Sequence, residues 1–467
     1  MAVLIAYFSV WAWRLWAGGA HPLRFDLAVT LVWLFSVALN LSPQLVARAE
    51  FSSAAVGLVI GSHALLMMGF SLGRGRRPTF EVAPLARVGG GVGILAAATA
   101  VMVGLTLLRA VLTRSVPVLS SFGSIEVARA RYLENLTAGS GLLDLATQAL
   151  KYPAMALAPL IAWLHRLGRH RLVLLAVAGV VAVADASFRI GGRADLVFVV
   201  VSMIAGMLFV YRLRLRALLI PAGIGVILFF VLGTTFALTR NPNFAGNQAF
   251  FIARICTVQE PGSWVDGTAD PNTAALGASL CYFVSPMHSL DDFIHGRDDW
   301  DFRLGGYNAG LLTRAAFADA RNDIGEFYDG RGLGTNPWTT SVRDFWLDFG
   351  YAAPLVYFPM GYAIARVSRR QRPNNPFAMA RAALLVPWAL MIPFISPLII
   401  SSLMYPLLIV VALQFATRVG WLPRPVVLPV ENPSRFARQH PVSPRACTLR
   451  GQAVLVPTDQ RWLSDPM

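Results

Sequence analysis

Continuous apolar runs of about 17–25 residues recur along almost the whole chain, and they decide what it can fold into. Hydrocarbon offers backbone N–H and C=O groups no water, so only helices or closed barrels can run through it. Barrel strands alternate polar and apolar residues, and these runs do not, so helices are the solution. With 56% of residues hydrophobic and 14% charged, the chain is too apolar to cover itself with a polar exterior. The expected fold is all-α: a polytopic transmembrane helix bundle of about eleven spans with a large polar loop on the extracytoplasmic side.

The formal net charge of +15 raises nucleic acid as a partner. The basic residues sit in short connections between apolar runs, where they orient membrane proteins instead, so the partner they imply is the lipid bilayer. Clusters without acids occur at Arg74, Arg76 and Arg77; at Arg166, Arg169 and Arg171; at Arg212, Arg214 and Arg216; and at Arg366, Arg369, Arg370 and Arg372. These are expected on the cytoplasmic side. Between successive clusters lie paired runs, 88–112 with 149–164 and 172–187 with 194–211, so the chain returns inside each time. Runs at 27–41 and 54–72 make an earlier pair, 217–238 and 347–365 flank the long loop, and 378–416, interrupted by Pro393, Pro397 and Pro406, gives two more. The first run, 1–16, is short and carries Arg14; it has neither a basic start nor a small-residue cleavage site, which argues against a cleaved signal peptide.

The chain then divides into 1–238, holding helices one to eight and an outer loop at 113–148; a large outer loop at 239–346; helices nine to eleven in 347–418; and a cytoplasmic tail at 419–467. Rich in Pro and Arg, that tail is expected to be disordered. A structureless connection as long as 239–344 is uncommon, so a small folded cap or a functional loop is expected there. Within it, 278–294 mixes apolar and polar residues in a way that suits a helix lying along the membrane surface. Cys256 and Cys281 both fall in this loop, where an oxidising compartment can join them; two buried free thiols are the alternative.

Three stretches carry the polar groups that chemistry needs. Ser187-Phe188-Arg189-Ile190-Gly191-Gly192-Arg193-Ala194-Asp195 places two glycines and two arginines in a tight connection, 188–193. Gly191 and Gly192 permit close approach of a phosphate to backbone N–H groups, and Arg193 at the next helix start favours an anion. A plain turn with snorkelling arginines is the alternative. Asp185 is an ionisable group at membrane depth, for which Arg189 and Arg193 are the candidate partners. Arg129 and Arg131, in Glu126-Val127-Ala128-Arg129-Ala130-Arg131-Tyr132, are basic residues on the outer face, where either an anionic ligand or lipid headgroups would meet them. The third stretch, Asn336-Pro337-Trp338-Thr339-Thr340-Ser341-Val342-Arg343-Asp344-Phe345-Trp346-Leu347-Asp348-Phe349-Gly350, leads into the ninth span. Its aromatics, hydroxyls, amide and carboxylates are the equipment of a sugar site, or equally of an aromatic belt. Asp298-Asp299-Trp300-Asp301 reads as a solvated surface run, and no metal or cofactor is expected. No Walker loop or His-Glu-x-x-His pair is present in the sequence.

The order of Ala128-Arg129-Ala130-Arg131-Tyr132, then Gly191-Gly192-Arg193, then a long loop closing on Asn336-Pro337-Trp338-Thr339 and Trp346-Leu347-Asp348-Phe349-Gly350 resembles the O-antigen polymerase family, the oligosaccharide repeat-unit polymerases. The family pattern reads Asn-x-Tyr-Thr where this chain has Trp338, so the aromatic hydroxyl is replaced. The resemblance implies a bacterial inner-membrane enzyme with a core like that of metal-independent membrane glycosyltransferases. Such an enzyme joins undecaprenyl-pyrophosphate-linked oligosaccharides at the periplasmic face into O-antigen or a related surface polysaccharide. A repeat-unit flippase and a chain-length regulator are the implied partners. On this resemblance Arg193 stabilises the departing pyrophosphate, and Asp348, then His288, are the candidate bases. Arg129, Arg131, Arg189, Gly191, Gly192, Tyr282, Asn336, Thr339 and Arg343 are the implied substrate-binding residues. An O-antigen ligase, or a lipid-linked-sugar transporter or flippase, would share much of this architecture.

Overall fold

Where the sequence runs apolar for long enough, the backbone satisfies its hydrogen bonds inside helices. The computed structural model describes residues 1–17, 25–47, 50–73, 85–87, 89–112, 142–189, 194–211, 256, 258, 260–295, 308, 340–369, 375–423 and 426–427. In chain order the helices are α1 (Ala2–Ala17), α2 (Phe25–Leu39), α3 (Ser53–Gly73), α4 (Gly90–Leu112), α5 (Leu142–Leu157), α6 (Ile161–Arg166), α7 (His170–Arg189), α8 (Ala194–Tyr211), α9 (Pro271–His295), α10 (Ser341–Phe349), α11 (Pro354–Arg369), α12 (Pro376–Met391) and α13 (Ser401–Arg418). Two short strands, β1 (Leu85–Arg87) and β2 (Val426–Val427), pair antiparallel. Among the described residues, 5 helices (α3, α4, α7, α8 and α13) are long and apolar enough to cross a membrane, and α1, α2 and α12 are shorter apolar helices. The expected span 217–238 lies outside the described residues.

Side-chain contacts sort the helix ends into two groups. At one end of the bundle Asp195, opening α8, meets Ser402, opening α13, and the Ser396 N–H, just before α13, donates to Asp344 of α10 at 2.6 Å. Arg343 of α10 lies over Phe293 of α9, and Asp291 of α9 accepts from Ser52, which precedes α3. At the other end Gly73 closes on Ala365, the Arg166 guanidinium donates to the Val210 carbonyl at 3.1 Å, and the Gly90 N–H donates to the Pro423 carbonyl at 3.2 Å. The described helix ends that border the arginine clusters all belong to this second group.

The most extensive packing among the described helices joins α3 to α11, which run parallel: Gly61 meets Pro354, Gly69 meets Phe358 and Gly73 meets Tyr362 and Ala365. A Cβ at Gly69 would stand 2.2 Å from the Phe358 carbonyl oxygen, and one at Gly361 would stand 2.3 Å from that of Leu66. Backbone touches backbone here, the approach that small residues allow in lipid, where no hydrophobic effect presses helices together.

Several sequence expectations shift. The stretch 278–294 is helical, but α9 does not lie on a surface: every residue from Val284 to Ile294 is buried. His288 meets Asn40, just after α2, and Asp291 meets Ser52, just before α3, so mixed polarity here marks a buried hydrogen-bonded helix. The stretch 347–365 is not one helix. Gly350 adopts φ 56° as the cap of α10, a backbone conformation that suits glycine, and Pro354 opens α11. Helix α5 begins at Leu142, inside the expected loop 113–148, and gives way to a tighter 3₁₀ turn at Ala158–Leu160. Phe188 and Arg189, expected in the tight connection, form the buried end of α7. The described part of 239–346 packs against the segment that follows α2. Residues 44–47 pair with 260–264 (Ala47 N–H to Glu260 carbonyl 3.0 Å, Trp264 N–H to Gln44 carbonyl 2.8 Å), and Leu45, Val265, Ala278 and Val284 join a small apolar core with Cys256 and Cys281. Those two cysteines form a disulfide. The tail's first residues pair back through β2, and residues 428–467 lie outside the described set.

Candidate functional site

The candidate site grows from the two helices that meet at residues 189 and 194. Asp185 and Arg189 are one turn apart on α7, and the guanidinium holds the carboxylate at 3.0 Å, as their i,i+4 spacing permits. The Arg189 Nε–H also donates to the Asp185 carbonyl at 3.3 Å. Gln148 of α5 donates its amide to the Ala186 carbonyl at 3.0 Å. Across the link, Asp195 lies in the first turn of α8, where the helix dipole favours a carboxylate. Its Oδ2 accepts from Lys151 Nζ at 2.7 Å and from Ser187 Oγ at 3.0 Å, while Oδ1 accepts from Ser402 Oγ. Lys151 is the chain's only lysine, and only 5% of its side chain is exposed. Sequence reasoning gave it no role. The one local signal was a cation inside an apolar run, and nothing near it named a partner 44 residues away.

A second polar group surrounds α10. Thr340 caps the helix by accepting from the Val342 N–H, which satisfies one of the orphan donors at a helix start. Arg343 pairs with Asp344 at 2.7 Å. Asp348 accepts from both the backbone N–H and the side-chain amide of Asn308, at 3.0 and 2.6 Å, and the same amide reaches the Asp344 carbonyl at 2.9 Å. Asp344 and Asp348 are fully buried. Ser341 bonds the Tyr357 hydroxyl of α11 at 2.6 Å and also the Ile392 carbonyl, tying α10 to the connection after α12.

His288 stands on α9, outside the candidate membrane spans, and its ring is buried against Phe51. The Asn40 amide donates to the Ser36 carbonyl at 2.9 Å, which turns its oxygen toward His288 Nε2 at 3.0 Å. Nε2 therefore carries the proton and Nδ1 keeps the lone pair. Burial pushes the ring's pKa down from 6.5 to about 4, against a weaker upward pull from Asp291. The imidazole is thus neutral at pH 7. Tyr282, next to the bridged Cys281, is half-buried.

Arg189 thus pairs with Asp185 and Lys151 with Asp195, Arg343 pairs with Asp344, which Asn308 links to Asp348, and Asp195 and Asp344 flank the short stretch 396–402. Arg193, Gly191, Gly192, Arg129, Arg131, Asn336 and Thr339 lie outside the described residues.

No family model, curated protein or solved structure matches this chain. Its function must therefore be argued from the site. Among the described residues, no three His, Cys, Asp or Glu side chains cluster as metal ligands would. The described cations of the site are each paired with a carboxylate: Lys151 with Asp195, Arg189 with Asp185 and Arg343 with Asp344.

Proposed function

We propose that this chain is a glycosyltransferase of the repeat-unit polymerase type, joining undecaprenyl-pyrophosphate-linked oligosaccharides at the periplasmic side of the bacterial inner membrane. The observation that carries the reading is the framed junction of α7 and α8. Two helix ends are locked by buried ion pairs, and Arg193 stands in the four-residue link between them by sequence, beside Gly191 and Gly192. The orientation rests on two independent signals. The arginine clusters border one end of the bundle and the Cys256–Cys281 disulfide sits at the other, as expected if that other end faces an oxidising compartment.

In this reading a hydroxyl of the incoming unit attacks the anomeric carbon of the growing chain. The new glycosidic C–O bond forms as the bond to pyrophosphate breaks, the hydroxyl proton passes to a base, and undecaprenyl pyrophosphate departs. Outside the cytoplasm there is no ATP, so the donor brings its own leaving group, and stabilising the charge on that group is the protein's main contribution. Arg193 takes that role. Arg189, committed to Asp185, orders the site more than it meets the ligand. Of the two bases, His288 has a lone pair on Nδ1, whereas Asp348 already accepts two donors from Asn308. Arg343 stays with Asp344, while Tyr282, Asn336, Thr339, Arg129 and Arg131 remain assigned to the sugars and phosphates by sequence. The buried ion pairs gather at one end of the bundle, whereas transporters place charge near mid-bilayer, and this favours the enzyme over a flippase.

Arg193→Lys and Arg193→Ala test the reading. Lys keeps the charge but loses the planar fork, so polymer should fall on the order of a hundredfold, and further with Ala, at unchanged protein level. Full-length polymer from Arg193→Ala would contradict it.

A further inference from the structure

Between Asp144 and Asp185 the chain carries no acid, and apart from Lys151 its basic residues gather where α6 turns into α7: His165, Arg166, Arg169, His170 and Arg171. All five are exposed. The turn is tight, because Gly168 adopts φ 69° and the Arg169 N–H returns to the Leu164 carbonyl at 3.0 Å. Two of the five are bonded to the end of α8. The Arg166 guanidinium donates to the Val210 carbonyl at 3.1 Å, and His165 Nδ1 lies 3.0 Å from the Tyr211 hydroxyl. The His165 and His170 rings meet edge to face at 5.8 Å, so the start of α7 and the end of α8 lie at one level.

Arg171 has no comparable task within the fold. At the start of a helix a cation opposes the dipole, and no acid stands in the first turn of α7 to offset it. Among the described residues no ion pair includes Arg171. Orientation in the membrane accounts for the sign of the cluster, but cations anywhere in the turn would serve it equally. The adjoining surface is apolar. Leu174, Val177 and Val181 follow Arg171 on one face of α7 and are 70%, 45% and 48% exposed. Tyr211, also exposed, marks the level at which aromatic rings sit between hydrocarbon and water. Cations thus stand at the rim of an exposed apolar strip, the complement of an amphiphile with an anionic head. We propose that the α6–α7 turn and this face of α7 bind an anionic phospholipid. Its phosphate diester meets Arg169, His170 and Arg171, and an acyl chain lies along Leu174, Val177 and Val181. A nucleic acid would match the charge but leave the strip unused. The proposal does not rest on the proposed reaction, which is assigned to the other end of the bundle.

Native mass spectrometry of the full-length protein in detergent tests this, with dioleoyl phosphatidylglycerol titrated against dioleoyl phosphatidylcholine, which has the same tails and no net charge. Wild type should favour the anionic lipid by roughly 25-fold, about fivefold for each of two arginines at a membrane surface. Arg169→Gln/Arg171→Gln should remove most of that preference and leave phosphatidylcholine binding unchanged. Arg418→Gln removes a cation at the same end of the bundle, in the last turn of α13 where the dipole favours it, and should keep the preference. Inorganic phosphate in large excess should not displace the lipid, because it brings no tail to the apolar strip. Equal binding of the two lipids by wild type, or an undiminished preference in the double variant, would overturn the site. An equal loss in Arg418→Gln would show that the whole face, not this turn, attracts the lipid, and displacement by phosphate would show a site for free anions; either overturns the proposal. Both arginines are exposed, so the double variant should keep the wild-type melting temperature. If it fails to fold, Arg171→Gln alone carries the readout, with a fall of about fivefold.

Discussion

Asp195 and Asp344 are both buried carboxylates at the same end of the bundle, flanking the stretch 396–402, yet they are held in opposite ways. Asp195 takes its cation from 44 residues away and a hydroxyl from 207 residues away, so its bonds run between long helices. Asp344 takes its cation from the adjacent residue, Arg343, on a helix of 9 residues that Gly350 separates from α11. The first carboxylate belongs to the frame of the bundle. The second rides on a small element whose polar groups can be changed with less damage to the whole, which is where binding chemistry is most easily accommodated.

The comparison can be broken by substitution. Lys151→Met alone should have the largest effect, destabilising the protein by about 3–5 kcal/mol, because it leaves Asp195 buried without a counter-charge. Thermal unfolding in detergent reads this directly, and a loss no greater than that of Asn308→Ala would erase the distinction between frame and appendage. Cys281→Ser should cost about 3 kcal/mol, since the bridge closes a loop of 25 residues in the unfolded chain. Reductant should lower the melting temperature of wild type but leave that of the variant unchanged. Asn308→Ala should cost about 2 kcal/mol, because Asp348 and the Asp344 carbonyl lose the side-chain amide while the backbone N–H and every cation stay. Ser52→Ala, which removes both the Ala55 cap of α3 and a donor to Asp291, should cost about 1 kcal/mol and leave polymer length unchanged.

What was legible in the sequence follows from how local each signal is. The apolar runs 54–72, 172–187 and 194–211 correspond to α3, α7 and α8 within two residues at each end, because hydropathy and helix termini are local. The Asp185–Arg189 pair was readable too, since i,i+4 spacing brings the two together on any helix. The break at Gly350 and Pro354 lay hidden inside an apolar stretch that averaged over it. Helix α9 misled for a different reason. A polar side chain looks the same in sequence whether it meets water or Asn40 and Ser52. Lys151 shows the limit most plainly: its partner, Asp195, comes from another helix 44 residues on, and such pairing leaves no trace in the neighbouring residues.

The proposed reaction makes glycosidic bonds from lipid-pyrophosphate donors without nucleotide or metal. Purified protein in proteoliposomes, given undecaprenyl-pyrophosphate-linked oligosaccharide units and a chelator, tests it most directly. A repeat-unit polymerase should give a ladder of products rising by one repeat unit per step, with undecaprenyl pyrophosphate released in equal number to the bonds formed, and no ladder from Arg193→Ala. Transfer only to a lipid A core acceptor, or movement of intact donor across the bilayer with no bond formed, would contradict it.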